Sequence, residues 1–447
     1  MALKALDIFK LLPKTNCKKC GCPTCLAFAM KLAQKQASLD LCPDVSAESK
    51  AALEGAAAPP IRLVAIGAGP GKLEIGNETV MFRHDETFYR PPGIGVLISD
   101  ALTEKELADK VKALAQLHFV RVGMAMKANV VAVENASGAV EPFVKAVTAV
   151  KALGLPMVLI SQHAAHLESA LVLCADARPL IHAATEANWE ALAKLASAKK
   201  CPLAVSASDL DSLAALAGKV RAAGVEDIVL DLSAPKPIDA IEALTASRRL
   251  ALKKKSRELG TPAMVVVRTP DPLANVADCC MCVAKYAGLV LTPLCQPEHL
   301  LPILTVSQNL YTDPRKPIQV EAKLAEVGAV TAQSPLLITT NFSLTYFTVE
   351  GEVEASRVPS YIVVVNTEGT SVLTAWAAEK FTAESIAKAV KAAGVEGKVK
   401  HRKLTIPGGV AVMSGKLEEA LPGWKILVGP REAVGIPTYL KNTWPGL

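Results

Sequence analysis

Five of the chain's eleven cysteines lie between Cys17 and Cys42, spaced Cys17-x2-Cys20-x4-Cys25-x16-Cys42, with Cys22 inside the cluster and Pro43 directly after it. Thiolates gathered this closely are soft metal ligands, and four of them suit a tetrahedral zinc or a 4Fe-4S cluster. A zinc ribbon needs two Cys-x2-Cys knuckles set well apart, which this module lacks. A tight three-cysteine loop with a distant cysteine before proline leans toward iron and sulfur. Cys22 then reads as a spare loop thiol, because a 4Fe-4S cluster takes four cysteines. An odd, locally clustered cysteine count also argues against the disulfide framework of a secreted protein.

Other candidates are weaker. Cys279, Cys280 and Cys282 sit in ADCCMCVAKYAG, which has helical periodicity and no fourth ligand nearby, so they read as small buried apolar residues. Cys174, Cys201 and Cys295 are isolated on apolar stretches and read the same way. GAGPGK, from Gly67 to Lys72, has glycines misplaced for either phosphate-binding motif and is expected to form a tight turn. His163 and His166 share a helical face with no ligand at matching spacing, which favours a structural role.

Composition bounds the setting. At 447 residues the chain expects two or three domains of roughly 100 to 200 residues each. Hydrophobic residues make up 51%, yet the apolar runs stop well short of the ~20 residues that a membrane helix needs. The start, MALKALDIFKLLPK, lacks a cleavage site behind a long apolar core, so the expected location is the cytoplasm. The net charge of +6 is spread along the chain and aromatics are only 4%, which points away from nucleic acid.

Three blocks must position these residues. Ser46 to Pro60, SAESKAALEGAAAPP, reads as a linker or fraying helix, followed by a small β-hairpin ahead of Tyr89. From Gly93 to about Asp313, short apolar runs alternate with amphipathic stretches. The runs begin at Val96, Val130, Val158, Leu180, Leu203, Ile228, Met264 and Leu289, and Asp209 and Gly224 bracket one intervening helix. Eight such units fit a closed TIM (β/α)8 barrel of parallel strands buried on both faces. FVRVG from Phe119 adds one run to the count, which leaves an open doubly wound sheet as the alternative. Glu134, Asn135, Gln162, Asp231 and Arg268 fall at strand ends, where barrels place chemistry, but they assemble no acid-base or nucleophile set and read as capping residues.

After Lys323 the rhythm restarts with runs at Leu336, Tyr361, Lys400 and Lys425 and a helix at Ala383, which suggests a smaller open α/β (Rossmann-like) domain. Its strands end in small polar turns at Thr339 to Asn341, Thr367 to Ser371 and Gly429 to Arg431, where open α/β sheets hold ligands. The expected division is therefore 1–57, 58–92, 93–322 and 323–447.

CKKCGCPTCLAFAMKLA, with Cys42-Pro43 downstream and NTEGTSVLTAW from Asn366 to Trp376, resembles the large (gamma) subunits of corrinoid iron-sulfur proteins of the acetyl-CoA synthase/decarbonylase system. The resemblance covers essentially the whole chain. It implies a 4Fe-4S cluster on Cys17, Cys20, Cys25 and Cys42, a central TIM barrel, and a cobamide in the C-terminal domain. It maps the corrinoid contacts onto Thr340, Tyr346, Gly369, Thr370, Ser371, Val372, Leu373 and Gly435. Cys22 lies outside the family's ligand pattern.

The family's role would make this chain a methyl carrier of the reductive acetyl-CoA (Wood-Ljungdahl) pathway. Cobalt(I) would take a methyl group from methyltetrahydrofolate held by a separate methyltransferase and deliver it to carbon monoxide dehydrogenase/acetyl-CoA synthase. The cluster, fed by a low-potential electron donor, would restore cobalt(I) from cobalt(II). The implied partner within the carrier is a smaller subunit, forming a heterodimer. Asp-x-His-x-x-Gly, which supplies an axial histidine in many cobalamin proteins, is missing, and the C-terminal block holds only His401. Fewer axial donors favour cobalt(I). Two rival readings are a pterin-dependent corrinoid methyltransferase acting on its own and an iron-sulfur redox scaffold without cobalt.

Overall fold

The computed structural model describes residues 5–446 apart from 34–35, 47–48, 51–52, 54–58 and 314–315. Most of the 46–60 stretch read as a linker therefore lies outside the described residues. The chain forms two compact units, one of residues 1–81, 89–115 and 128–307, the other of 82–88, 116–127 and 308–447.

In the first unit, helices α1 (Ala5–Leu11) and α2 (Cys25–Ala33) share a small core of Ile8, Leu12, Phe28, Ala29 and Leu53 with three of the cysteines. Strands β1 (Val64–Ile66) and β2 (Leu73–Ile75) pair antiparallel around a short 3-10 turn, Gly69–Gly71, so GAGPGK is the expected turn.

Eight parallel strands then close a barrel: β3 (Gly93–Ser99), β6 (Val130–Glu134), β7 (Met157–Ile160), β8 (Leu180–Ala184), β9 (Leu203–Ser206), β10 (Ile228–Asp231), β11 (Ala263–Val266) and β12 (Leu289–Thr292). Closure runs from Leu289 to Gly93 and from Thr292 to Val96. The surrounding helices are α3 (Glu104–Gln116), α4 (Val140–Lys151), α5 (Ala164–Cys174), α6 (Trp189–Lys199), α7 (Leu210–Ala222), α8 (Pro237–Lys253), α9 (Pro272–Ala284) and α10 (Pro297–Leu310). The Asp209 carboxylate caps α7 by accepting the Ser212 N–H at 2.8 Å, as its sequence position suggested. Leu97, Val130, Val158, Leu180, Val229 and Met264 fill the barrel interior, each fully buried aliphatic contributing about 1.5–3 kcal/mol over exposure. The β1–β2 hairpin plugs the amino-terminal end. A Cβ on Gly93 would stand 2.5 Å from Leu73 Cδ2, so only glycine admits the plug there.

The extra run at Phe119 is not a barrel strand. It forms β4 (Phe119–Arg121), which pairs antiparallel with β5 (Met124–Met126) in the second unit. Arg121 anchors this hairpin through Gln308 Oε1 at 2.5 Å and Asn309 Oδ1 at 3.1 Å. The open-sheet alternative therefore falls away.

The main sheet of the second unit has the order β13-β15-β14-β16-β17: β13 (Leu324–Val327), β14 (Leu336–Thr340), β15 (Ser360–Val365), β16 (Lys403–Ile406) and β17 (Lys425–Val428). Sequence reasoning missed β13, the one antiparallel member, which makes the sheet mixed. Helices α11 (Ser343–Ser356), α12 (Val372–Ala377), α13 (Ala383–Ala392) and α14 (Ser414–Ala420) connect the parallel strands. Thr382 and Ser385 cap α13 reciprocally. One face of the sheet packs on Phe381, Ile386, Val390 and Leu417, the other on Val353, Tyr439 and Leu440. The chain leaves β14 for β15 and returns past β14 to β16, which puts a topological switch point between β14 and β16.

Candidate functional site

The cysteine loop between α1 and α2 is built on an alternating backbone. Lys14, Asn16, Lys18 and Gly21 have φ of 61°, 49°, 63° and 73°, and the residues between the first three do not share this left-handed form. Asn16 Oδ1 accepts the Cys25 N–H at 2.8 Å, tying the loop to the first residue of α2. Cys42 follows a 3-10 turn, Leu39–Leu41, and its N–H bonds Leu39 O at 3.0 Å.

Cys25 and Cys42 are buried, Cys17 and Cys20 half-buried, and Cys22 packs within the module's apolar core. Burial pushes the Cys42 thiol up, and the neighbouring Cys20, Cys17 and Cys25 push it further, which brings all four predicted ligands into one neighbourhood. Among the described residues no three Cys, His, Asp or Glu side chains stand at metal-holding distance. The donor chemistry nevertheless fits an iron-sulfur cluster, whose cationic core would relieve the mutual repulsion of the thiolates gathered around Cys42.

The second candidate region is the carboxyl edge of the C-terminal sheet. Asn341 follows β14 directly and is 2% exposed. Its Oδ1 accepts the Thr367 N–H at 2.9 Å, the Thr367 hydroxyl at 3.1 Å and the Gly369 N–H at 3.0 Å. Its Nδ2 donates to Gln319 Oε1 at 3.1 Å and Asn366 Oδ1 at 3.2 Å. One side chain thus fixes the turn after β15. The Thr370 hydroxyl bonds Thr367 O at 2.7 Å, and the Ser371 hydroxyl bonds Thr374 Oγ1 at 3.0 Å at the start of α12, where Val372 and Leu373 begin the helix. Gly435 closes the short turn Ala433–Gly435 beyond β17.

Two features of this edge are unusual. The hydroxyls of Thr339, Thr340 and Ser343 are buried with no hydrogen-bond partner, each a desolvated polar group that a ligand could satisfy. Leu344, Leu373, Trp376, Val412 and Val434 are exposed by 42% or more on the segments that follow the strands. An apolar rim over orphaned hydroxyls fits a large macrocycle with polar peripheral groups, as a corrinoid has. Tyr346, predicted with these contacts, lies on α11 in the core of the opposite sheet face, and its hydroxyl donates to Glu350 Oε1 at 2.6 Å. His401 stands before β16, at the other end of the strands. Its Nε2 donates to Ser334 O at 2.9 Å and its Nδ1 accepts the Lys403 N–H at 3.0 Å, so both ring nitrogens are committed.

Sequence reasoning placed the turns but gave no part to the Asn341 side chain, Ser343, Trp376 or Val412, which the structure sets at this edge. A Thr-Thr-Asn ending to an apolar run was the available signal for the first.

At the barrel's carboxyl end the polar residues satisfy one another more than they cap helices. Arg268 clasps Glu134 through bonds of 2.5 and 3.2 Å. Asn135 donates to Asp100 at 2.7 Å and accepts from His166 Nδ1 at 2.7 Å, with the His163 ring 4.7 Å beyond. Gln162 is exposed. His182 Nε2 donates to Asp231 Oδ2 at 2.9 Å. Burial pushes the Asp231 carboxyl up, but His182 and the bonds from Ser233 outweigh it and hold the group below its ordinary range. Cys174 and Cys282 are buried, their thiols pushed up to about 12, which makes them unreactive. No described helix is long and apolar enough to cross a membrane.

Known proteins share this combination of modules. The family described as "CO dehydrogenase/acetyl-CoA synthase delta subunit" matches residues 63–440, and one described as "Putative Fe-S cluster" matches residues 12–43. The corrinoid/iron-sulfur protein large subunit of Moorella thermoacetica is 48% identical over 99% of this chain and 99% of its own. The acetyl-CoA decarbonylase/synthase complex subunit gamma of Methanothermobacter thermautotrophicus is 35% identical over 98% of this chain and 99% of its own. Among solved structures, dihydropteroate synthase from Thermus thermophilus aligns with 56% of this chain and 100% of its own at 18% identity, with a TM-score of 0.39. At this identity to the two subunits over its full length, the chain belongs to the family of corrinoid/iron-sulfur protein large subunits and acetyl-CoA decarbonylase/synthase gamma subunits.

Proposed function

We propose that the chain is the corrinoid-bearing methyl carrier of an acetyl-CoA synthase system, with a 4Fe-4S cluster on Cys17, Cys20, Cys25 and Cys42 and a cobamide on the carboxyl edge of the C-terminal sheet. When bound, the cobamide supplies a cobalt centre that takes a methyl group and gives it up, and the cluster supplies one electron at low potential for reactivation. The observation that carries the reading is the edge beyond β14, where partnerless Thr340 and Ser343 hydroxyls lie beneath an exposed apolar rim.

In this reading Thr340 and Ser343 donate to the macrocycle's polar groups. Gly369, Thr370 and Ser371 form the wall that Asn341 holds, and Val372, Leu373 and Gly435 complete the contact. Leu373 and Trp376 exclude water from the reacting face. Tyr346 braces α11 behind the site. The commitment of both His401 nitrogens supports a cobalt without a protein histidine. The methyl source is methyltetrahydrofolate on a separate methyltransferase, and the acceptor is acetyl-CoA synthase. A small subunit completes the heterodimer. The division at residues 57, 92 and 322 belongs to this proposal, supported by β3 beginning at Gly93 and β13 at Leu324.

The test is anaerobic metal analysis with an absorption spectrum of the chain coexpressed with its small subunit. About one cobalt and about four irons, with a corrinoid band that shifts on reduction, are expected. Iron without cobalt in cobalamin-replete cells would leave only a redox scaffold. Folate-dependent turnover by the isolated chain would make it a methyltransferase in its own right.

A further inference from the structure

The cysteine loop wears a one-sided charge. Residues 10–31 carry five lysines and no acidic residue. Two of the five are neutralised from outside the segment, Lys10 by Asp7 at 3.1 Å and Lys19 by Asp44 at 3.1 Å. Lys14, Lys18 and Lys31 have no carboxylate partner among the described residues, and all three are exposed. Lys14 and Lys18 closely flank Cys17, one of the two half-buried ligands, whereas Cys25 and Cys42 face the module's core. Electron transfer falls off steeply with distance, so a cluster held by these cysteines would exchange electrons through its more exposed Cys17–Cys20 side. A modest, charge-steered contact is the anatomy of a transient redox complex.

Resting on the cluster assignment above, we infer that Lys14 and Lys18 form the docking surface for an acidic one-electron donor protein, which meets the cluster at its Cys17–Cys20 face. One electron passes, the donor is oxidised by one and the cluster reduced by one, and no bond is made or broken. The chain's own corrinoid edge is the competing occupant, and its charge does not match. Its turns carry Glu368 paired to Lys380 at 2.5 Å, and Arg431 beside Glu432, a net charge of zero. An acidic surface from outside complements the unpaired lysines, and a neutral apolar rim does not.

The test compares the full, cluster-loaded chain with its Lys14→Glu/Lys18→Glu variant, using a reduced acidic ferredoxin as the donor. For the native chain, the rate of cluster reduction falls about tenfold as salt rises from about 20 to about 300 mM. The variant is slower by about tenfold at low salt, loses most of the salt dependence, and binds oxidised ferredoxin at least about tenfold more weakly by calorimetry. Reduction of the variant by the cationic methyl viologen radical becomes faster. Equal ferredoxin binding and equal rates in the two proteins would overturn the docking surface. So would a changed midpoint potential that slows all reductants alike, because the lysines would then act on the cluster itself. Slower electron delivery to cobalt with unchanged cluster reduction would assign the surface to the chain's own corrinoid domain instead. Iron content, measured on both proteins beforehand, separates failure of the cluster assignment from failure of the docking one.

Discussion

Asn341 shows how much one side chain can hold. Its Oδ1 serves three donors from a turn 26 to 28 residues further along the chain. Asn341→Ala strands those donors in a buried setting and is expected to cost roughly 2–4 kcal/mol in urea unfolding. Corrinoid retention, read from the absorption spectrum, should fail before the fold does, since the turn is the first thing released. A second residue-scale expectation concerns acid. Asp231 has a depressed folded-state pKa, so its contribution is fully present above the ordinary carboxylate range and is lost as pH falls through the depressed value. Asp231→Asn should lower Tm near pH 7 and flatten the acid limb of the Tm profile below about pH 4. An unchanged limb would mean that the pair with His182 stores no stability. At this scale the sequence was half-legible. Four thiolates advertise their chemistry by spacing alone, whereas an asparagine after a strand looks like any turn until the chain returns with donors.

Among the elements, the turns at the carboxyl edge of the C-terminal sheet depend on close backbone approach. A Cβ on Gly408 would lie 2.4 Å from Gly429 O and 2.9 Å from Arg431 N, both backbone atoms that cannot swing away. Gly408→Ala should therefore cost about 1–3 kcal/mol and weaken corrinoid retention. Gly415, on α14, is the control: a methyl group there would meet nothing within 4 Å, and Gly415→Ala should be neutral or gain up to about 1 kcal/mol in Tm-derived stability. The barrel strands were readable because each is a short, β-branched apolar run between helical stretches. FVRVG was not, since an apolar run does not say which sheet it joins, and here it pairs only with Met124–Met126. Strand β13 escaped because Leu-Ala-Glu-Val is short, interrupted by a charge, and recruited only by its antiparallel partner.

For the whole molecule, both faces of the C-terminal sheet are covered by residues from within 320–440. A fragment of residues 308–447 should accordingly fold and take up cobinamide, visible as a bound corrinoid after gel filtration. It should melt several degrees lower than the full chain, because the hairpin over Phe347, where Gly123 sits, is removed with the rest. A fragment that folds and binds no corrinoid would refute the placement of the site.

The hairpin plug of the barrel carries a consequence for biosynthesis. Residues near the start of the barrel find their partners almost at its end: the Arg62 N–H bonds Gly260 O at 2.8 Å, and Gly93 pairs with Leu289. During translation the β1–β2 hairpin and β3 leave the ribosome with no surface to pack on, and some two hundred further residues must follow before the ring can shut. The nascent chain therefore carries an open sheet edge and an unclosed apolar lumen for nearly half of its synthesis, so its yield in a foreign host is set by chaperone supply and elongation rate rather than by the stability of the finished protein.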